Sequence, residues 1–118
     1  MESILTSIKK MLEITEENEH FDHVLTMHIN SVFSTLTQMG VGPSEGFFID
    51  DSSSTWDEFI GDAATLNSVK SYVFLKVKLM FDTSTTPGGV ISAIERQISE
   101  LEWRLNVTSG SLPNAPDE

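Results

Sequence analysis

A chain of 118 residues is long enough for one domain around one modest core. With a mean hydropathy of −0.08 and no apolar run near the ~20 residues of a bilayer span, it is expected to be soluble and to make no membrane contact. Eighteen acids against seven bases give a net charge of −11, which excludes a conventional phosphate-binding DNA or RNA protein, and the lack of cysteine excludes disulfides, thiol nucleophiles and Cys-ligated zinc. Glu2 and an amphipathic pattern follow Met1 in place of a basic stretch and an apolar core, so no secretory signal is expected and the cytoplasm is the expected site of synthesis and folding.

Ser3 precedes Ile4, Leu5, Ile8 and Leu12, whose spacing predicts a short helix ending near Ile14. After an acidic connection, Phe21, Leu25, Ile29, Val32, Leu36 and Met39 recur at helical spacing, and Gly40 is placed to end this second helix. Val41 to Ser54 holds Gly42, Pro43, Gly46 and four serines and reads as a loop, with Phe47-Phe48-Ile49 as a candidate short strand. Thr55 and Glu58 fit a capping box before a turn of helix with Trp56, Phe59 and Ile60, ended by Gly61.

Asp62 can cap a long helix in which Leu66, Val69, Val73, Val77 and Met80 share one face, while Tyr72, Leu75 and Leu79 line the opposite one. Leu75 to Leu79 alternates like a strand, but the uninterrupted Gly- and Pro-free stretch Ala63 to Phe81 favours helix. Thr86 is the expected cap of a last helix, with Pro87 at its first position. Ile91, Ile94, Ile98, Leu101 and Leu105 form its apolar stripe, and Glu100 and Arg104 form a favourable i,i+4 pair. Ser, Gly, Asn and Pro dominate from Val107 on. The expected fold is therefore all-α, a bundle of four main helices plus one short helix. One domain should span 1–108, followed by a flexible tail, 109–118.

No constellation for catalysis emerges. His20, His23 and His28 lie close together in sequence, but nothing else supplies a closed metal-ligand set, and they read as surface and boundary residues. Asp50 to Asp62 has the alternation of a calcium loop with the glycine and terminal glutamate misplaced. Paired carboxylates such as Asp57 and Glu58 have no partner base or oxyanion site. No cofactor and no enzymatic activity are expected.

Charge is unevenly placed. No Lys or Arg occurs from Met11 to Val69, and eleven acids do. Glu45, Asp50, Asp51, Asp57 and Glu58 are candidates for an acidic loop or channel surface. Two apolar features exceed what a small monomer needs. The helix Ala63 to Phe81 is apolar on both faces, so it is either central or meets a neighbour. Trp103 falls opposite the apolar stripe of the last helix beside Arg96 and Glu100, and Trp and Arg concentrate at interfaces. Packing under the loop Val41 to Ser54 is the alternative for Trp103. The candidate subunit or partner interface is Tyr72, Leu75, Leu79, Trp103 and Arg104.

Several segments, in order, resemble the head-tail connector (adaptor) family of long-tailed phages and prophages of Gram-positive bacteria. They are Ile8-Lys-Lys-Met-Leu-Glu-Ile14, Phe21-Asp22 leading into His28-Ile29-Asn30, Met39-Gly-Val-Gly-Pro43 with Gly46-Phe47, and Trp56-Asp-Glu-Phe-Ile-Gly-Asp62. Val69 through Asp82 and Ile98-Ser-Glu-Leu-Glu-Trp-Arg-Leu-Asn106 complete the set. The resemblance covers Ser3 to Val107 and departs from the family pattern at Glu13, where a glycine is expected after Met11-Leu12. It implies a helical subunit of a twelvefold ring under the portal protein, joining the DNA-filled head to a stopper or tail-completion protein and leaving a channel for DNA. The implied location is the head-tail junction of the virion, with assembly in the host cytoplasm.

A competing reading starts from the charge alone: an acidic DNA mimic that inhibits a host nuclease or restriction enzyme. A mimic needs carboxylates spaced like phosphates over one exposed face. Here the acids concentrate in loops and at helix starts, where they also serve as caps.

Overall fold

The structure is a computed structural model that describes residues 3–82 and 87–109. Five helices account for the order of elements: α1 Ile4–Met11, α2 Asp22–Gln38, α3 Trp56–Phe59, α4 Ala63–Asp82 and α5 Gly88–Ser109. Among the described residues no strand forms, and the one extended pairing is an isolated bridge between Ser3 and Thr55. The all-α bundle expected from the periodicities is what the chain adopts.

Ser3 caps α1, its Oγ accepting the Thr6 N–H at 3.2 Å. Ile4, Leu5 and Ile8 are buried below it. The helix ends at Leu12 in a Schellman turn: the N–H of Glu13 donates to the Lys10 carbonyl and that of Ile14 to the Lys9 carbonyl, at 3.0 and 2.8 Å. Such a turn requires a left-handed residue, and Glu13 supplies it with φ 64°. Lys9 on the same helix is only 2% exposed. Its Nζ donates to the Glu16 carbonyl at 3.0 Å and lies 2.8 Å from Asp22 Oδ1, so one ammonium ties the acidic connection and the start of α2 to α1. That carboxylate oxygen makes no directed hydrogen bond, and the attraction between the two groups is a matter of charge.

Leu25, Ile29, Val32, Phe33 and Leu36 form the buried stripe of α2. The helix closes with a second Schellman turn at Gly40 (φ 83°), where Val41 donates to the Leu36 carbonyl. The loop beyond it is clamped to α2 by the side chain of Asn30. Asn30 accepts the Ile49 N–H at 2.7 Å and donates to the Ile49 carbonyl at 2.9 Å. The segment Phe47-Phe48-Ile49 is thus not a strand: the N–H and carbonyl of its last residue, Ile49, are met by an amide that imitates a neighbouring strand, and among the described residues no second strand continues the ladder. Phe47 and Phe59 pack edge-on and tilted against the buried Phe33 at centroid distances of 5.2 and 4.7 Å. Trp56 is fully buried beside them and donates its Nε1–H to Ser7 Oγ at 2.7 Å, which in turn donates to the Ile4 carbonyl. Burying an aromatic of this size contributes about 1.5–3 kcal/mol, and the indole N–H, which would otherwise be costly to bury, is satisfied.

The capping box expected at α3 is not formed. The Thr55 hydroxyl donates to the Asp57 Oδ1 at 2.6 Å, and the Thr55 side chain accepts no backbone N–H of the helix. Asp57, one residue before Glu58, takes the hydroxyl instead. Asp62 does cap α4, accepting the Thr65 N–H at 2.9 Å.

Helix α4 is the central element, packed on α2 along one side and on α5 along the other. Leu66, Val69, Tyr72, Val73 and Val77 are buried on it, whereas Met80, expected on the apolar face, is 40% exposed near the helix end. Phe21 and Phe81 meet edge-on at 5.1 Å, joining the start of α2 to the end of α4. Ile94, Ile98, Leu101 and Leu105 of α5 close the core, with Ile91 half-buried. α5 begins at Gly88, with the Pro87 carbonyl accepting from Ile91, one residue later than expected. Its backbone runs past Val107 to Ser109. The expected cap Thr86 and the tail from residue 110 lie outside the described residues.

Candidate assembly surfaces

The expected interface residues separate into three environments. Tyr72 is fully buried and donates its hydroxyl to Glu102 Oε2 on α5 at 2.8 Å. It is therefore not available to a partner: the second apolar face of α4 is explained at this position by α5 of the same chain. Burial, then the hydrogen bond and the negative charge of Glu102, push the Tyr72 phenol well above its ordinary range. Leu75 and Leu79 are half-buried at the edge of the core.

Trp103 is 51% exposed and does not lie under the loop 41–54. It lines an open groove of about 460 Å³ with Asp62, Ala64, Thr65, Ser68, Arg104 and Leu105. The groove forms because α4 and α5 run antiparallel, which places the first turns of α4 beside the last turns of α5. Arg104 is exposed and lies 3.4 Å from Glu100, the i,i+4 pair the sequence predicts. Leu75 and Leu79 sit two and three turns further along α4 than Ser68, so the structure does not bring all five residues into one patch.

Glu45, Asp50, Asp51, Asp57 and Glu58 are all exposed. Asp50 and Asp51 share a groove with Glu19, Asp22, His23 and Thr26, so the two acidic clusters of the sequence meet in space. The Ser53 hydroxyl and N–H donate to Asp51 at 2.6 and 2.9 Å, hydroxyl foremost, and hold its carboxyl below the usual range. Asp62 is lowered in the same way by Thr65. Glu45 lines a different depression with Asn30, Ser34 and Phe48, and Asp57 and Glu58 lie in the first turn of α3. Among the described residues no three His, Asp or Glu side chains are grouped to hold a metal ion.

Two features escaped the sequence. Phe48 is 71% exposed and Met27 on α2 is 60% exposed, and a loop phenylalanine gives no periodic signal of its direction. Lys9 is buried, although a lysine near a helix end ordinarily reads as solvated.

The decisive observation is a family model. The model described as phage connector protein matches residues 4–111, which takes in all five helices. The chain belongs to the phage connector family. Comparison with curated proteins and with solved structures finds no match. A connector of this family is a structural protein of the phage particle. Among the described residues of this connector, no helix is long and apolar enough to cross a membrane.

Proposed function

We propose that this connector is a head-completion adaptor. In this reading it forms a ring beneath the portal protein, joins the DNA-filled head to a stopper or tail-completion protein, and leaves a channel for the genome. It acts without catalysis or cofactor, at the head-tail junction. The observation that carries the reading is the family match across residues 4–111.

Other features support it. The two sequence clusters of acids converge beside Asp50 and Asp51, and a negatively charged wall suits a passage through which DNA must slide without adhering. Trp103 and Arg104 present the residue types in which interfaces concentrate their energy. Leu75 and Leu79 remain candidates for the margin of such an interface.

Co-expression with the portal protein of the same phage, followed by electron microscopy of the purified complex, tests the proposal. A ring of added density on the tail-facing side of the portal is the expected result. Failure to bind the portal, with recovery of a host nuclease in its place, would reverse the assignment in favour of the DNA mimic.

A further inference from the structure

The outward face of α2 carries no charge. Val24, Met27, Ser31, Ser34 and Gln38 follow one another at intervals of three and four, so they form one row along the helix, and all five are exposed. From His23 to Ser44 the chain holds no Asp, Glu, Lys or Arg, although it has eighteen acids and seven bases in all. A helix face that meets only water ordinarily carries charged side chains, as the outer face of α5 does with Glu95, Arg96, Glu100 and Arg104. Loss of charge together with exposed large apolar groups is instead the composition of an interface centre.

The loop after α2 bounds this row on one side. Phe48, 71% exposed, lines a depression of about 340 Å³ with Asn30, Ser34 and Gln38. Met27, 60% exposed, supplies the second large apolar group. Between them Ser31 and Ser34 are small, which leaves the backbone of α2 open to close approach. The row runs about 21 Å from Val24 to Gln38, and acids stand at both of its ends. Glu19, Asp50 and Asp51 surround a depression at the start of α2, and Glu45 lies beside Gln38 at the other end. No Lys or Arg between Met11 and Val69 answers them.

We infer that this face receives a helix of a different protein, one that is apolar or small along its contacting side and carries Lys or Arg towards both ends. Its apolar side chains meet Met27 and Phe48, its backbone approaches Ser31 and Ser34, and its basic ends face Glu45 and the group of Glu19, Asp50 and Asp51. Opposite charges at the two ends fix the partner's position along α2 and discriminate against acidic partners. A helix suits the site because the row is straight, about four helical turns long, and walled on one side by Phe48, the form of an apolar groove that takes a helix. A second copy presenting its own α2 would set acids against acids in either direction. The inference rests on the adaptor reading for the partner's identity, but not for the partner's chemistry.

A photoreactive p-benzoylphenylalanine in place of Gln38, at the edge of the row, tests this in the full-length chain made together with the head and tail proteins of its phage. The same group in place of Glu95 on α5 is the comparison. Irradiation should join position 38 to a different protein, and mass spectrometry of the joined peptide should show a stretch free of acids with Lys or Arg towards both ends. Met27→Glu and, separately, Ser31→Glu should reduce that crosslink by about tenfold or more at an unchanged melting temperature, since both positions are exposed. The added acid separates a seated helix from loose attraction to basic groups, which it would strengthen. A crosslink to a second copy, to an acidic segment or to nothing overturns the inference, as does one that ignores both variants or appears equally from position 95. Failure of the adaptor reading looks different. A joined protein of the host in place of one from the particle, with the expected peptide and the expected response to the variants, removes that reading and leaves the inference standing.

Discussion

Glu13 and Gly40 occupy the same position in the same turn, the left-handed residue just past the ends of α1 and α2, with φ values of 64° and 83°. In each case the following residue, Ile14 or Val41, returns its N–H to a carbonyl of the last helical turn and tucks its side chain toward the core. Glycine adopts this conformation freely, whereas a residue with Cβ pays about 1 kcal/mol for it. Glu13 therefore holds a local strain in this turn. Glu13→Gly should raise the stability by about 0.5–1 kcal/mol, the relieved strain being partly offset by the greater freedom of glycine in the unfolded chain. Urea unfolding of the two proteins measures the difference, and a destabilised variant would reject the account.

Gly42 shows the opposite case, a glycine that nothing can replace. Its φ is +86°, and a Cβ built there would lie 2.4 Å from the Phe59 ring. That ring is wedged between Phe33 and Phe47 and has nowhere to retreat. Gly42→Ala should combine backbone strain with overpacking and cost about 2–4 kcal/mol. Thermal melting of the variant checks this, and a loss below about 0.5 kcal/mol would mean that the aromatic cluster is looser than it stands.

The helices were readable because their apolar residues recur at the helical period, so α2, α4 and α5 bury the stripes their sequences carry. The role of Tyr72 was not readable. A helix flanked on both sides needs two apolar faces whether the second neighbour comes from its own chain or from another, and only the position of α5 decides between them. The clamp of Asn30 on Ile49 was equally hidden, because it joins residues nineteen apart in sequence through an amide that has no periodic signature. Trp103 and Arg104 were recognisable from their side-chain types and their place opposite the stripe. The groove beside them was not, since half of it belongs to α4.

The Tyr72 phenol donates to a carboxylate across the α4–α5 contact, a bond to a charged acceptor of the kind that contributes about 1.5–3 kcal/mol. Tyr72→Phe should lose about that much. The pH dependence has a definite sign. The folded phenol titrates above the ordinary value of about 10, so below that pH both states hold the proton and the contribution is complete. As the pH rises past 10 the unfolded chain releases its proton first, and the native state loses this share of its stability. Between pH 9 and about 11 the wild type should therefore lose stability more steeply than Tyr72→Phe in parallel denaturant titrations. Identical slopes would show that the phenol is neither buried nor held by Glu102 in solution.

The charge pattern bears on DNA. With eighteen acids against seven bases and one of the lysines buried, the chain, alone or in the proposed ring, should bind double-stranded DNA no more tightly than the millimolar range at about 0.15 M salt, below the usual non-specific affinity of a basic protein. A mobility-shift titration reads this directly. Tight binding that weakens steeply with salt would contradict an acidic channel wall.

Asn30 ties the loop after α2 back to that helix. Its side-chain amide meets both the N–H and the carbonyl of Ile49, and Ile49 is buried immediately beside the exposed Phe48. Replacing the amide with a methyl group strips two partly buried backbone groups of their partners, at a cost of about 1–3 kcal/mol. It should also loosen the loop between Gly42 and Ser54, whose other ties are the packing of Phe47 on Phe33 and the Ile4 N–H donated to the Ser54 carbonyl. Asn30→Ala should accordingly be cut by a protease within that loop at a dilution the wild type survives, while α2 itself stays helical by circular dichroism. Asn30→Asp separates the two halves of the clamp, because a carboxylate can accept from the Ile49 N–H but repels the Ile49 carbonyl. It should fall between the wild type and the alanine variant in stability. An Asn30→Ala variant no more readily cut than the wild type would show that the clamp does not hold this loop.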